Sequence, residues 1–224
     1  MKRSTINSYI RDAESLFAEA GFYLPEWAHW TVDQWRSERE RIGAIVRAGL
    51  GWDLTDFGLD DFEHTGLLLF TVRNGVLADK ESIPYAEKLM VVRDRQVTPM
   101  HFHWSKTEDI INRSGGELVL KLFLADHETE QTTEHPFTVH RDGLEIAGSP
   151  GMEVRLKPGQ SITLPPYLYH SFWAENGTCV VGEVSAVNDD ATDNRFLDDV
   201  GRFPSIEEDE PPYRLLCTEY AGLF

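Results

Sequence analysis

The sequence predicts a mainly β protein, a single β-barrel or jelly roll with an N-terminal helical extension. Residues 66–187 divide into short, alternating apolar segments separated by turn residues, which is typical of such folds. Residues 1–50 instead repeat apolar side chains at helical spacing. With 224 residues and 41% hydrophobic content, the chain can bury one sizeable core. We therefore expect a helical extension, residues 1–50, packed on a barrel domain, residues 51–224, that includes a C-terminal loop segment.

Caps and a repeated apolar face indicate two N-terminal helices. Ser4 can begin the first helix, and Gly21 ends it. Thr31 and Gln34 have the spacing of a capping box, and the helix that they start runs to about Gly49. Such helices cannot join a barrel, so we expect them to pack outside it or to form a dimer contact. The many aromatic residues of this region favour core packing, and a partner interface is the alternative.

Turn residues separate the candidate strands. Residues 51–65 are acidic and irregular, which predicts a solvated loop. Asn74-Gly75 and Asn176-Gly177 predict two-residue hairpins. The candidate strands are residues 66–73, 87–93, 97–103, 108–113, 117–124, 136–141, 144–147, 151–156, 161–165, 169–175 and 178–186.

Charge and cysteine content exclude several classes of partner. The 38 acidic residues against 21 basic ones give a net charge of −17, which repels nucleic acid and anionic membranes and favours a neutral substrate. Cys179 and Cys217 have apolar neighbours and suggest buried thiols rather than a disulfide framework. No signal peptide or transmembrane run is evident, so we expect a cytoplasmic protein.

A cluster of metal-binding residue types begins at His101. A strand directs residues two apart to the same face, so His101 and His103 should point the same way. If Ser105-Lys106 is the tip of a tight hairpin, Glu108 lies opposite His103. The alternative for an isolated histidine pair is a structural or exposed role.

A fourth candidate ligand, His170, follows the Pro165-Pro166 turn. Three histidines and one glutamate form a nitrogen-rich set. Such a set suits Mn, Fe, Co, Ni, Cu or Zn better than Mg or Ca, which prefer oxygen.

These residues form the pattern H-x-H-x4-E-x6-G followed by G-x5-P-x4-H, which resembles the two-part motif of the cupin superfamily. The resemblance implies a small β-barrel with a metal in its mouth. Arg95, six positions before His101, and Tyr167 replace two usual glycines, and Ala174 replaces a usual asparagine. The two glycines are backbone positions, so the substitutions affect turn geometry more than coordination.

A second carboxylate is expected beside His170. A hairpin at Asn176-Gly177 would pair Glu175 with Thr178 and His170 with Glu183. A partly desolvated carboxyl near a metal is a candidate general base, so we predict this role for Glu183. The alternative is a surface glutamate.

Cations and polar groups supply further candidates. At the predicted hairpin tip, Lys106 could stabilise an oxyanion or a sugar hydroxyl, and Lys88 is a similar candidate. The polar segment 188–195 could close over the site and bind hydroxyls, although an ordinary acidic loop is the alternative. The candidates for substrate binding are Lys88, Asp190, Asp193 and Arg195.

Longer strings give a narrower resemblance. Residues 98–113, 168–173, 182–190 and 193–196 resemble the D-lyxose isomerase family, as do the chain length and the helical N-terminus. The resemblance implies a homodimer with a manganese-preferring site that interconverts D-lyxose and D-xylulose, often with D-mannose and D-fructose as slower substrates. The metal ligands carried over by motif are His101, His103, Glu108 and His170.

Together these observations predict a metal-dependent aldose–ketose isomerase that acts through a metal-stabilised enediolate. Glu183 would shuttle the proton and Lys106 would support an oxygen, with a hydride shift as the mechanistic alternative. Two other functions compete with this one. An Fe(II) cupin dioxygenase would use the same ligands but usually has an apolar pocket, and a non-catalytic sugar-binding cupin would bind sugar without turnover.

Overall fold

The computed structural model describes residues 1–190 and 192–224; Ala191, inside the predicted polar segment, lies outside the described residues. Helix α1 is Arg3–Glu19, α2 is Val32–Ser37 and α3 is Gly43–Arg47. Short 3-10 helices cover Glu26–His29 and Cys217–Leu223. No helix of the described residues is long and apolar enough to cross a membrane.

The remaining structure is one antiparallel sheet that wraps into a jelly roll, so the mainly β prediction is confirmed. Its main strand order is β1-β2-β3-β10-β5-β9-β6-β7; β4 pairs with β10 and β11, and β8 pairs with β5. The strands are β1 Gly51–Thr55, β2 Leu67–Arg73, β3 Tyr85–Val92, β4 Thr98–Phe102, β5 Glu108–Leu124, β6 Phe137–Arg141, β7 Leu144–Gly148, β8 Met152–Leu156, β9 Ser161–Leu164, β10 Leu168–Ala186 and β11 Arg195–Phe196.

Strand β2 is buried on both faces, which explains its unbroken apolar run. Alternate residues of a strand point to opposite faces. Leu67 and Leu69 therefore pack in one hydrophobic core cluster. Leu68 and Phe70, on the opposite face of the strand, pack in a second cluster with Ile10 of α1. Helix α1 thus covers the outer face of the sheet.

The N-terminal helices are shorter than predicted after residue 31. The capping box of Thr31 and Gln34 begins α2 as expected. The second predicted helix, however, is divided into α2 and α3, and α3 starts at Gly43, a poor helix former. Trp35 of α2 packs against Tyr220 of the C-terminal 3-10 helix, with ring centroids 4.8 Å apart.

Two turn predictions and one loop prediction are wrong. Asn74-Gly75 begins a longer connection, since β3 starts only at Tyr85. Asn176-Gly177 lies inside β10, where both residues have positive φ at a β-bulge. The pair bends the strand without reversing it because the partner strand β5 continues past this point. Within the predicted loop 51–65, residues 51–55 form strand β1. The acidic residue of this strand, Asp53, points into the molecule rather than toward solvent.

Candidate active site

Three buried histidines converge at one end of the barrel. His101 lies on β4, His103 follows that strand, and His170 lies on β10 directly opposite His101. One ring nitrogen of each lies within 4.8 Å of the other two. All three side chains are buried. The H-x-H spacing thus gives the expected convergence.

The protein fixes the tautomer of each ring. A carbonyl oxygen only accepts hydrogen bonds, so the ring nitrogen facing it carries the proton and leaves the other lone pair free. Nε2 of His103 and Nε2 of His170 are buried and have no hydrogen-bond partner. The Nδ1 contacts are His101 to the Pro99 carbonyl, 2.8 Å, His103 to Asp193, 2.5 Å, and His170 to Leu168, 2.9 Å.

Glu108 adds a carboxylate to this cluster. Its Oε1 lies 3.1 Å from Nε2 of His170, and its Oε2 lies 3.5 Å from Nε2 of His103, in an orientation that forms no hydrogen bond. The predicted hairpin between His103 and Glu108 is wrong, because β4 pairs with β10 and β11 whereas β5 begins at Glu108. Lys106, predicted at the tip of that hairpin, is buried.

Lys106 is the charge partner of the carboxylates. Its Nζ lies 2.7 Å from Oε2 of Glu108 and 3.1 Å from Oε1 of Glu183. Burial alone would lower the pKa of Lys106, but these two carboxylates outweigh it and raise the pKa. Burial alone would raise the pKa of Glu108, but the Lys106 ammonium holds it well below its usual range. Both groups are therefore charged at neutral pH.

Glu183 reaches the site by a different route from the predicted one. It lies opposite Lys88 on β3, and His170 lies opposite Leu122 on β5, so the predicted pairing of His170 with Glu183 is wrong. Two register shifts in β10 separate the two residues and bring both side chains inward. Oε1 of Glu183 lies 3.3 Å from Nζ of Lys88 and thus between two ammonium groups.

Asn188, which the sequence argument did not single out, joins the two lysines. Its Oδ1 accepts hydrogen bonds from Lys88, 2.7 Å, and from Lys106, 3.1 Å. Asn74 holds the Asn188 backbone through two reciprocal bonds of 2.9 Å. The sequence showed Asn74-Gly75 as a turn signal, but it did not show that Asn74 contacts Asn188, 114 residues further along the chain.

The candidates in the segment 188–195 have different surroundings. Asp190 lines the cavity, 3.6 Å from Nζ of Lys88, and Arg202 lies 3.5 Å away on its other side. Asp193 accepts hydrogen bonds from the backbone N–H groups of Ser105 and Lys106, both 3.0 Å. The Arg195 side chain pairs with Glu130 at 3.0 Å. Lys88 and Asp190 therefore face the cavity, whereas Asp193 and Arg195 contact the protein.

A cavity of about 620 Å³ extends from the histidines. That size suits a small polar molecule such as a monosaccharide. Charged groups line one side of the cavity, and Phe57, Phe172 and Phe196 line another part. Asp53 of β1 also lines it, and burial raises the pKa of this carboxyl to about 6. This position of Asp53 was not predicted from the sequence, because the acidic residues around it indicated a solvated loop.

The residues present fit a divalent metal ion. Three imidazoles with their Nδ1–H groups held by carbonyls present unprotonated Nε2 atoms to a common centre. Metal-binding histidines are oriented in this way when the ring nitrogen that does not bind the metal donates to a carbonyl or carboxylate. A carboxylate completes a nitrogen-rich set of the kind preferred by first-row transition metals. Burial and the neighbouring rings of His170 and His103 lower the pKa of His101 well below its usual range, so the His101 ring is kept neutral.

The molecule is therefore a cupin-like jelly roll with a buried, metal-compatible histidine site beside a cavity that both charged and apolar side chains line. The family model for D-lyxose isomerase matches residues 1–220. The chain therefore belongs to the D-lyxose isomerase family, which confirms the resemblance drawn from its motifs.

Two similar curated proteins support this membership. The chain is 48% identical to a D-lyxose/D-mannose isomerase of Serratia proteamaculans over 224 residues, 98% of each chain. A D-lyxose/D-mannose isomerase of Escherichia coli O157:H7 gives the same identity and coverage. The L-ribose isomerase of Cellulomonas parahominis shares the fold with a TM-score of 0.62 at 18% identity, covering 92% of this chain and 98% of that one.

Proposed function

We propose that this chain is an aldose–ketose isomerase that interconverts D-lyxose and D-xylulose, and also D-mannose and D-fructose. The observation that carries the proposal is the adjacency of three buried histidines and Glu108 to the Lys106–Glu183 pair beside one cavity of about 620 Å³. Family membership and two relatives named D-lyxose/D-mannose isomerase support the substrate class. An Fe(II) dioxygenase and a non-catalytic sugar-binding module are not favoured by these relatives.

The proposed metal ligands are His101, His103, Glu108 and His170, and the proposed ion is Mn²⁺. The Nε2 atoms without partners and the adjacent carboxylate support the ligand set, and the family resemblance supports the ion. A divalent cation at this position supplies electrostatic stabilisation for the negative charge that develops when an α-hydroxy carbonyl loses a proton.

We assign the proton transfer between C1 and C2 to Glu183. Isomerisation needs a base that takes a proton from one carbon and returns it to the next, and a buried carboxylate in the cavity can do both. Lys88 and Lys106 lie within 3.3 Å of its Oε1 and fix its position. Lys106 would also donate a hydrogen bond to an oxygen that becomes negative during the reaction.

The segment 188–195 has two proposed roles. Lys88 and Asp190 are proposed to bind sugar hydroxyls, since both line the cavity. Asp193 and Arg195, also predicted to bind substrate, are here proposed to hold this segment over the site. Their bonds to the Ser105–Lys106 backbone and to Glu130 support this role.

A homodimer is also proposed. The aromatic N-terminal residues, for which an interface was the alternative to core packing, largely pack inside the molecule. Neighbouring positions on β3 and β10, however, leave apolar groups exposed. Tyr85 is 46% exposed and Val184 is 42% exposed, and an exposed apolar patch is typical of an interface. A dimer in sedimentation that Tyr85→Glu dissociates would support the proposal. The cytoplasmic location remains a prediction from the sequence.

Metal dependence tests the proposed function. Protein stripped of metal should not convert D-lyxose, and addition of Mn²⁺ should restore conversion in proportion to bound ion. His170→Gln should lose metal and activity together, while the exposed His140→Gln should keep both. Equal turnover by stripped and reloaded protein would contradict the proposal.

A further inference from the structure

Two buried polar atoms, in residues that line the cavity, have no hydrogen-bond partner among the described residues. They are Oγ1 of Thr98 and Oδ1 of Asn194, and both residues line the cavity. Buried polar groups are nearly always hydrogen-bonded, so such exceptions need an explanation. Among the described residues the other unpartnered atoms are Nε2 of His103 and His170, which face the proposed metal, and Oδ1 of Asn112, outside the cavity lining.

The fold places Thr98 on β4, the strand that carries His101, and Asn194 next to β11, the strand that pairs with β4. Thr98 begins β4, and a register shift between its pairing with Phe172 and that of His101 with His170 lets positions three apart share a face. Asn194 immediately precedes β11, whose Phe196 pairs with His101. Both side chains thus reach the same cavity from adjacent strands.

We propose that Thr98 and Asn194 determine substrate specificity by binding hydroxyl groups of the sugar that the reaction leaves unchanged. This inference rests on the proposed isomerase function. A hydroxyl and a carboxamide can each both donate and accept, as sugar hydroxyls do. The lysines and carboxylates of the site already engage one another, whereas these two neutral groups have no protein partner.

The neutral character of the pair determines the kinetic signature. Neither group carries charge that could stabilise an enediolate or act as a base. Contacts that are equal in the ground state and the transition state affect KM and leave kcat unchanged. A change at either position should therefore appear in substrate affinity, unlike a change at Glu183.

The test uses matched variants. Thr98→Val removes the hydroxyl with little change of shape, and Thr98→Ser keeps it; Asn194→Leu removes the amide. Loaded with Mn²⁺, Thr98→Val and Asn194→Leu should raise KM for D-lyxose about tenfold, the loss expected for a neutral hydrogen bond left unpaired. Thr98→Ser should stay near the unaltered protein, and kcat should change little.

Binding without turnover provides a second readout. The alditol obtained by reducing D-lyxose cannot isomerise, and its Kd can be measured by calorimetry. The same variants should weaken its binding about tenfold at unchanged metal content. Unchanged alditol affinity in Thr98→Val and Asn194→Leu, or loss of metal from either, would overturn the inference. Alditol binding by a protein that isomerises no aldose would instead overturn the proposed function and leave the hydroxyl contacts standing.

Discussion

At the scale of single residues, Arg95 and Tyr167 occupy the two motif positions where glycine is usual. Both have the left-handed backbone, with φ of 61° and 60°. The turns beside the site therefore keep a conformation that favours glycine without having glycine. Such a conformation costs about 1 kcal/mol for other residues. Arg95 is exposed, whereas the Tyr167 ring stacks between Phe102 and His127.

Glycine at these two positions should have opposite effects. Arg95→Gly relieves the backbone and removes no buried contact, so the free energy of unfolding should rise by about 0.5–1 kcal/mol. Tyr167→Gly relieves the same backbone but loses the stacked ring, so it should destabilise by about 2–3 kcal/mol. Urea denaturation measures both variants. Destabilisation by Arg95→Gly would contradict this account of the turn.

Asp53 should make stability depend on pH. Burial, opposed by Arg202 and Lys88 and reinforced by Asp190, raises its pKa to about 6, against about 3.9 in an unfolded chain. Between these values the folded state binds more protons, so this contribution to stability falls as pH rises from about 4 to about 6. Cys217 also faces the carboxyl and stays protonated, since burial raises its pKa.

Asp53→Asn should remove that dependence. The stability of the variant relative to the unaltered protein should improve by about 2 kcal/mol between pH 4.5 and pH 7, the part of a shift of about two pKa units that falls within this pH range. Asp199→Asn, at an exposed position, provides the control. Denaturant unfolding at the two pH values decides the matter, and a constant difference for Asp53→Asn would show that this carboxyl is not perturbed.

At the scale of elements, acidic residues near the C-terminus hold helix α1. Arg3 is buried and forms ion pairs with Glu208, Nε to Oε2 2.8 Å, and with Glu219. Asn7 donates to the Pro211 carbonyl at 2.9 Å. These contacts thus join the two ends of the chain.

Removal of the Arg3 charge should loosen this junction. Arg3→Met leaves Glu219 partly buried without its partner, so the free energy of unfolding should fall by about 3 kcal/mol. Arg36→Met, at an exposed pair with Asp33, should change it by less than about 1 kcal/mol. Chemical denaturation followed by tryptophan fluorescence measures both. Equal effects would refute a special role for the buried arginine.

Strand β10 shows why a local turn signal can fail to predict a turn. Asn176-Gly177 is a strong hairpin signal, yet β10 continues because β5 offers a partner on both sides of the bulge. Likewise, β1 was missed because Asp53 points into the cavity toward other charged groups, an environment that hydrophobic alternation cannot represent. Strands that face an apolar core, such as β2, were predicted closely from their pattern.

At the scale of the whole molecule, a net charge of −17 surrounds a site that contains its own cations. Lys88 and Lys106 are buried beside Glu108, Glu183 and Asp190, so charge inside the cavity is closely paired. A neutral sugar can enter such a cavity without crossing a strong repulsive field.

The sequence predicted the mainly β class and the convergence of the histidines, because strand parity and motif spacing are local. It did not single out Asn188, which contacts both lysines, and it did not single out Thr98 or Asn194, which line the cavity. Their positions depend on strand register and on a loop that closes over a distant strand, and neither can be read from neighbouring residues. The predicted pairing of His170 with Glu183 was wrong, although the Glu183 side chain does enter the site.

The most direct test of the central claim is NMR of D-lyxose conversion in D₂O by Mn²⁺-loaded protein, with Glu183→Gln measured alongside. The account predicts D-xylulose carrying deuterium at C1 from the unaltered protein, and no product from Glu183→Gln at equal metal content. Normal turnover by Glu183→Gln, or D-xylulose without deuterium, would contradict proton transfer by this carboxylate through a solvent-exchanging position. Absence of any ketose from D-lyxose and D-mannose would contradict the isomerase itself.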